Sequence, residues 1–166
     1  MVMKNSMTRA LCFLFLTLCS LGRISAQEFK FAFLTDLHVH SDSTLGQVEL
    51  RLKSLSPQVE LLLSGGDNVD IDNLKSADLS AGEQRIKSLK GLFDRTKKPY
   101  HMAIGNHDRL PRDLRDGTND FALFEKAFGQ TYYSFDHKGW RFIVLNSVET
   151  KDNHYVIGDK QLAWLK

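Results

Sequence analysis

The chain has 166 residues, 42% of them apolar and 25% charged, with a formal net charge of +2. That length and balance fit one globular domain with an ordinary core and exclude a disordered or fibrous segment. Residues 1–26 hold three of the 22 basic side chains and none of the 20 acidic ones, so the rest of the chain is slightly acidic; with no cationic cluster larger than Lys97-Lys98, it offers nothing to a long nucleic acid.

Residues 1–26 come first in chain order. Lys4 and Arg9 precede the apolar run at 11–18 (LCFLFLTL), and Ile24-Ser25-Ala26 supplies a small-residue cleavage pattern before Gln27. These features predict a cleavable secretory signal and an exported protein, periplasmic or extracellular. The run is too short to span a bilayer, and no transmembrane segment is expected in the mature chain. A lipid anchor on Cys19 would want a small residue before it, where Leu18 stands. Both cysteines, Cys12 and Cys19, leave with the signal. The mature domain, 27–166, therefore has no thiol to ligate zinc or act as a nucleophile.

Residues 28–34 (EFKFAFL) read as a strand ending at Thr35-Asp36. Leu45, Val48, Leu52 and Leu55 then recur at helical spacing, and 59–63 is a second strand closed by Ser64-Gly65-Gly66-Asp67. Ile86, Leu89, Leu92 and Phe93 form one face of a helix over 81–93, and 100–104 is a third strand. Strand and helix in alternation predict a parallel sheet. Phe121, Phe124 and Phe128 place a further helix over 121–128, with its apolar stripe in the core. Residues 132–135 and 140–145 read as a hairpin turning at Asp136-His137-Lys138-Gly139, and an amphipathic helix begins at 161.

Each of the first three strands ends in a polar cluster: Asp36-Leu37-His38, Gly66-Asp67-Asn68 and Gly105-Asn106-His107-Asp108. In open α/β sheets the ligand crevice lies at the carboxyl ends of the strands, so the three clusters should converge. Asp36, His38, Asp67 and Asn106 would supply oxygen and imidazole donors suited to Mn, Fe or Zn, with Asp67 on the middle strand placed to bridge two ions. Glycine before Asp67 and before Asn106 suits a sharp strand-end turn. The rival reading makes Asp36 and Asp67 helix N-caps, which leaves His38 and the Asn106-His107-Asp108 row unexplained. His40 and His101 read as structural, and Asn68 and Asp70 as solvated loop residues.

These three motifs, in this order and at these intervals, resemble the calcineurin-like metallophosphoesterases. The Tyr132-Tyr133-Ser134-Phe135 and Trp140–Asn146 hairpin and the run from Gly158 to Leu165 resemble the secreted, purple-acid-phosphatase-related members, although Asp70 stands where that branch carries its iron-binding tyrosine. The resemblance covers 28–166. It implies a layered α/β/β/α sandwich with two mixed sheets, represented here by its N-terminal portion. It implies two divalent or mixed-valence metal ions, and hydrolysis of phosphate mono- or diesters by a hydroxide that the metal pair activates. Asp36 and His38 would hold one metal, Asp67 would bridge, and Asn106 would hold the other. His107 would serve the leaving group, with Asp108 orienting it. Substrate would be a small phosphoester, and Arg109, in an arginine-rich loop with Arg112 and Arg115, is the candidate for gripping its anion.

The family completes its metal site with a later strand-end histidine and a Gly-His-x-His motif, and neither occurs in these 166 residues. His137 and His154 read as surface residues instead. A catalytically incomplete metal-binding fragment, or a noncatalytic paralogue, is therefore the alternative to an enzyme. A secreted nucleotidase or nuclease is a third reading, because one such site cleaves both monoesters and diesters.

Overall fold

Three parallel strands carry the structure, a computed structural model that describes residues 27–151 and 154–166. The expected signal segment lies outside the described residues. The strands β1 (Lys30–Leu34), β2 (Val59–Ser64) and β3 (Tyr100–Met102) lie side by side in that order. Leu34 pairs with Ser64 and Ser64 with Met102, so all three strands finish level. That shared finish places the three polar clusters at one end of one sheet.

The helices α1 (Asp42–Lys53) and α2 (Leu79–Arg95) connect the strands. Ser41 caps α1 by accepting a bond from the Thr44 amide, while the Thr44 hydroxyl caps back, so the chain turns into helix directly after the first cluster. Helix α2 buries Ile86, Leu89, Leu92 and Phe93, the stripe read from the sequence. With Val48 and Leu52 of α1 these meet Val59, Leu62 and Met102 in the core. Each such burial contributes about 1.5–3 kcal/mol, which makes this face of the sheet the main source of stability.

The other face is apolar but only partly covered, with Phe31 48% and Phe33 62% exposed. A hairpin of β4 (Tyr133–His137) and β5 (Trp140–Val144) lies against it. Phe135 stacks on His101 of β3 and on Phe142, and Phe142 meets Phe29 and Phe31 edge to face. The turn is shorter than expected. His137 pairs with Trp140, leaving Lys138 and Gly139 alone at the bend with φ of 48° and 81°. Two positive φ angles in a two-residue loop match the right-handed twist of the strands it joins.

Helix α3 (Ala122–Phe128) packs on α2 and buries Leu123 and Phe124. A second hairpin, β6 (Glu149–Lys151) with β7 (His154–Val156), was not expected, and α4 (Asp159–Leu165) follows it. Gln161 anchors α4: its amide nitrogen donates to the Asn146 carbonyl and its oxygen accepts from the Asn146 N–H, both at 2.7 Å and fully buried. The α/β class, with a parallel sheet and helices, is as expected. Among the described residues the remaining strands pair as two separate antiparallel hairpins, of which β4–β5 lies on the parallel sheet. No described helix is long and apolar enough to cross a membrane.

Candidate metal centre

Beyond the ends of β1 and β2 the two chains keep running side by side. The N–H groups of Asp36, His38 and Val39 donate to the carbonyls of Gly66, Asp67 and Asn68 at 3.0–3.1 Å. Leu37, Val39, Val69 and Ile71 are buried and pin this extension to the core. Asp36, His38 and Asp70, at the alternating positions, stand in the partly exposed crevice instead.

Three of the candidate ligands occupy left-handed backbone, with φ of 53° at Asp36, 45° at His38 and 50° at Asp67. Each such residue costs about 1–3 kcal/mol, a concentration of strain that characterises functional sites. Glycine permits the close approach here. Gly66 lies against Gly105, and a Cβ on Gly105 would collide with the backbone and carboxylate of Asp67.

Oxygen and nitrogen atoms of Asp36, His38 and Asp67 lie within 4.8 Å of one another. His38 Nε2 is 3.8 Å from Asp36 Oδ1, while its Nδ1 donates to Asp70 Oδ1 at 2.6 Å. That bond raises the His38 pKa above its ordinary value, against burial, and turns Nε2 toward the carboxylates. A carboxylate behind a histidine is the arrangement that fixes a ring for metal binding. Asp67 Oδ1 also accepts the His107 backbone N–H at 3.0 Å. Asn106 is half-buried and opens the 3-10 turn Asn106–Asp108 directly after Gly105. The donors therefore fit a hard or borderline divalent cation, mixed oxygen and imidazole in kind.

A second triple, His38, Asp70 and His107, also lies within 4.8 Å. Its donors are already committed, because Asp70 holds His38 Nδ1 and Asp72 holds His107 Nδ1 at 2.8 Å. Asp36, His38 and Asp67 are thus the better cation site. Asp70 is not a solvated loop carboxylate as expected; it also takes a bond from Arg85 of α2 through its carbonyl. Asn68 is fully buried rather than solvated.

His107 stands edge to face with His38, ring centres 4.8 Å apart. Its expected partner corrects to Asp72. Asp108 lies elsewhere, 1% exposed, accepting from the amides of Asn68, Val69 and Gly105 and from Asn68 Nδ2 at 2.8–2.9 Å. Four donors from the second and third loops converge on it, and Asn68 Nδ2 also donates to the Ala103 carbonyl at 2.9 Å. Burial nevertheless pushes its carboxyl up to about 7. Asp108 is a tie between loops, not the residue behind His107.

Arg109 also departs from expectation. It is 4% exposed and spends its charge on Asp120, 2.6 Å away, so it does not reach a phosphate in the crevice. His40 lies beside the site, its Nδ1 bonded to the His38 carbonyl at 2.8 Å, and His101 is structural, as read. His137 is no free turn residue: it ends β4 against Phe29, ring centres 4.6 Å apart, while His154 is exposed in β7. Sequence reasoning missed Asp72. The available signal was the apolar alternation Val69-Asp70-Ile71-Asp72, which marks a structured segment where a solvated loop was expected.

The family model described as "Calcineurin-like phosphoesterase" matches residues 29–165. Among solved structures, a dimetal phosphatase from Danio rerio is similar at 14% identity and a TM-score of 0.46, over 82% of this chain and 50% of that one. A protein of unknown function from Aquifex aeolicus is similar at 19% identity and a TM-score of 0.33, over 70% of this chain and 59% of that one. The chain spans about half the length of the Danio rerio structure. No curated protein matches it.

Proposed function

Because the chain belongs to the calcineurin-like phosphoesterase family, we propose that it takes part in metal-dependent hydrolysis of small phosphate mono- or diesters at the carboxyl ends of β1, β2 and β3. One observation carries the reading: Asp36, His38 and Asp67 meet within 4.8 Å beside a histidine whose ring is held by a buried carboxylate. When bound, two metal ions would supply Lewis-acid polarisation of the phosphoryl group and a water nucleophile at neutral pH.

The chain's own residues then divide the remaining work. Asp36 and His38 would hold one ion and Asn106 the other, with Asp67 available to either. Asp70 keeps His38 Nε2 turned toward the carboxylates. Asp72 engages His107 Nδ1, which leaves Nε2 free to hydrogen-bond the phosphate or deliver a proton to the departing oxygen. Asp108 keeps the loops bearing Asp67 and His107 at fixed separation through its four accepted bonds. Residues 1–26 support export, which we include in the proposal.

The test is hydrolysis of p-nitrophenyl phosphate by the 166-residue chain. Activity should vanish on chelation and return with Mn, and His107→Ala should lower turnover while metal content holds. Hydrolysis that survives exhaustive chelation contradicts the reading.

A further inference from the structure

The peptide unit joining Asp70 to Ile71 has both of its polar atoms held. Arg85 Nη1 of α2 donates to the Asp70 carbonyl. From the other side the Ile71 N–H donates to the His107 carbonyl at 2.9 Å, and the Asp72 N–H reaches the same oxygen at 3.2 Å. The C=O and N–H of a trans peptide point in opposite directions, so the two bonds clamp one plane between helix and loop. One bond earlier, the Asp70 N–H donates to the Val39 carbonyl at 3.2 Å.

The helix is built for this approach. Gly82, Arg85 and Ile86 share one face of α2, at i, i+3 and i+4. A Cβ on Gly82 would lie 3.2 Å from Ile71 Cγ2 and 3.4 Å from Leu74 Cδ1, so glycine lets the helix close on the segment. One turn on, Arg85 is half-buried, and among the described residues it has no carboxylate partner. Among those residues no other donor reaches the Asp70 carbonyl.

What the clamp holds is the carboxylate behind a candidate cation ligand. Asp70 Oδ1 accepts from His38 Nδ1 at 2.6 Å, while its Oδ2 lies 3.4 Å from His40 Nδ1. A ring held at Nδ1 by so short a bond turns with the carboxylate that holds it. Nε2 is therefore only as well aimed as the Asp70 backbone is fixed.

We infer that Arg85 is a positioning residue for the cation site: by fixing the Asp70 carbonyl it sets the angle of the carboxylate and, through it, of His38 Nε2. The inference rests on the reading of Asp36, His38 and Asp67 as cation ligands. It gives a part in that site to a helix side chain whose hydrogen bond goes to a main-chain atom.

The experiment titrates the 166-residue chain with Mn, following free Mn by its EPR signal, in wild type, Arg85→Met, Asp70→Ala and the double variant. Arg85→Met should weaken Mn binding about tenfold, the lower end of the loss when an outer partner of a ligating histidine is removed. In the Asp70→Ala background the same change should add nothing, because the carboxylate through which Arg85 acts is gone. A merely structural brace would lower the melting temperature of the metal-free chain and leave Mn affinity unchanged. Arg85→Gln, whose amide falls short of the carbonyl, repeats the measurement, so the result does not hang on one variant folding. Wild-type affinity in Arg85→Met and Arg85→Gln, or a loss that persists in the Asp70→Ala background, overturns the inference and leaves the cation reading standing. A wild type that binds no Mn overturns both.

Discussion

Asp72 Oδ1 lies 2.8 Å from His107 Nδ1, and Asp72 is almost completely buried. The imidazole therefore has one fixed face and one free nitrogen, a tautomer and orientation set from behind. Asp72→Asn should lower turnover about 10–100-fold, the usual loss when an outer carboxylate is removed from a working histidine. Metal content should stay near wild type, as read by elemental analysis. A loss of metal in parallel with activity would place Asp72 in the cation site instead.

Asp108 should behave differently. It accepts four hydrogen bonds while 1% exposed, and its removal strands three backbone amides in the interior and leaves Asn68 Nδ2 only its bond to the Ala103 carbonyl. Asp108→Ala should cost about 3 kcal/mol or more in denaturant unfolding, since each buried donor left without a partner costs about 1–3 kcal/mol. Asp108→Asn should also destabilise, because an amide NH2 would face N–H donors. A wild-type midpoint in either variant contradicts the tie between loops.

His101 predicts an acid-side loss of stability. Burial is the main influence that lowers its pKa from the ordinary 6.5, and the neighbouring His137 adds to it. The folded state thus favours the neutral ring. Its contribution is fully present above pH 6.5 and is lost as pH falls below that value through the lowered folded pKa. His38, whose pKa is raised, acts in the opposite sense: its contribution is present below 6.5 and lost as pH rises. Unfolding free energy measured across this range should decline less on the acid side in His101→Phe, which keeps an aromatic ring against Phe135. An unchanged acid-side decline removes His101 as its source.

Much of this was legible in the sequence, for identifiable reasons. The stripes of α1 and α2 and the three apolar strand runs follow from periodicity, and the level finish of β1, β2 and β3 brings Asp36, His38 and Asp67 together as expected. The partners of the histidines were not legible. Which carboxylate stands behind His107 depends on how the extension after β2 folds over the turn at Asn106–Asp108, a non-local matter that spacing does not encode. Arg109 misled for a related reason: its neighbours in sequence are polar, but Asp120, eleven residues on, takes it into the interior. The β6–β7 hairpin has only three residues per strand, too few for an alternation to register.

The central claim is that the carboxylates and histidine at the strand ends hold metal through Asp67. Bound Mn, measured by elemental analysis after equilibrium dialysis of wild type and Asp67→Ala, tests it most directly. Wild type should retain Mn and the variant should lose nearly all of it, with the fold intact by circular dichroism. A wild type that retains no metal, or a variant that retains as much as wild type, contradicts the account.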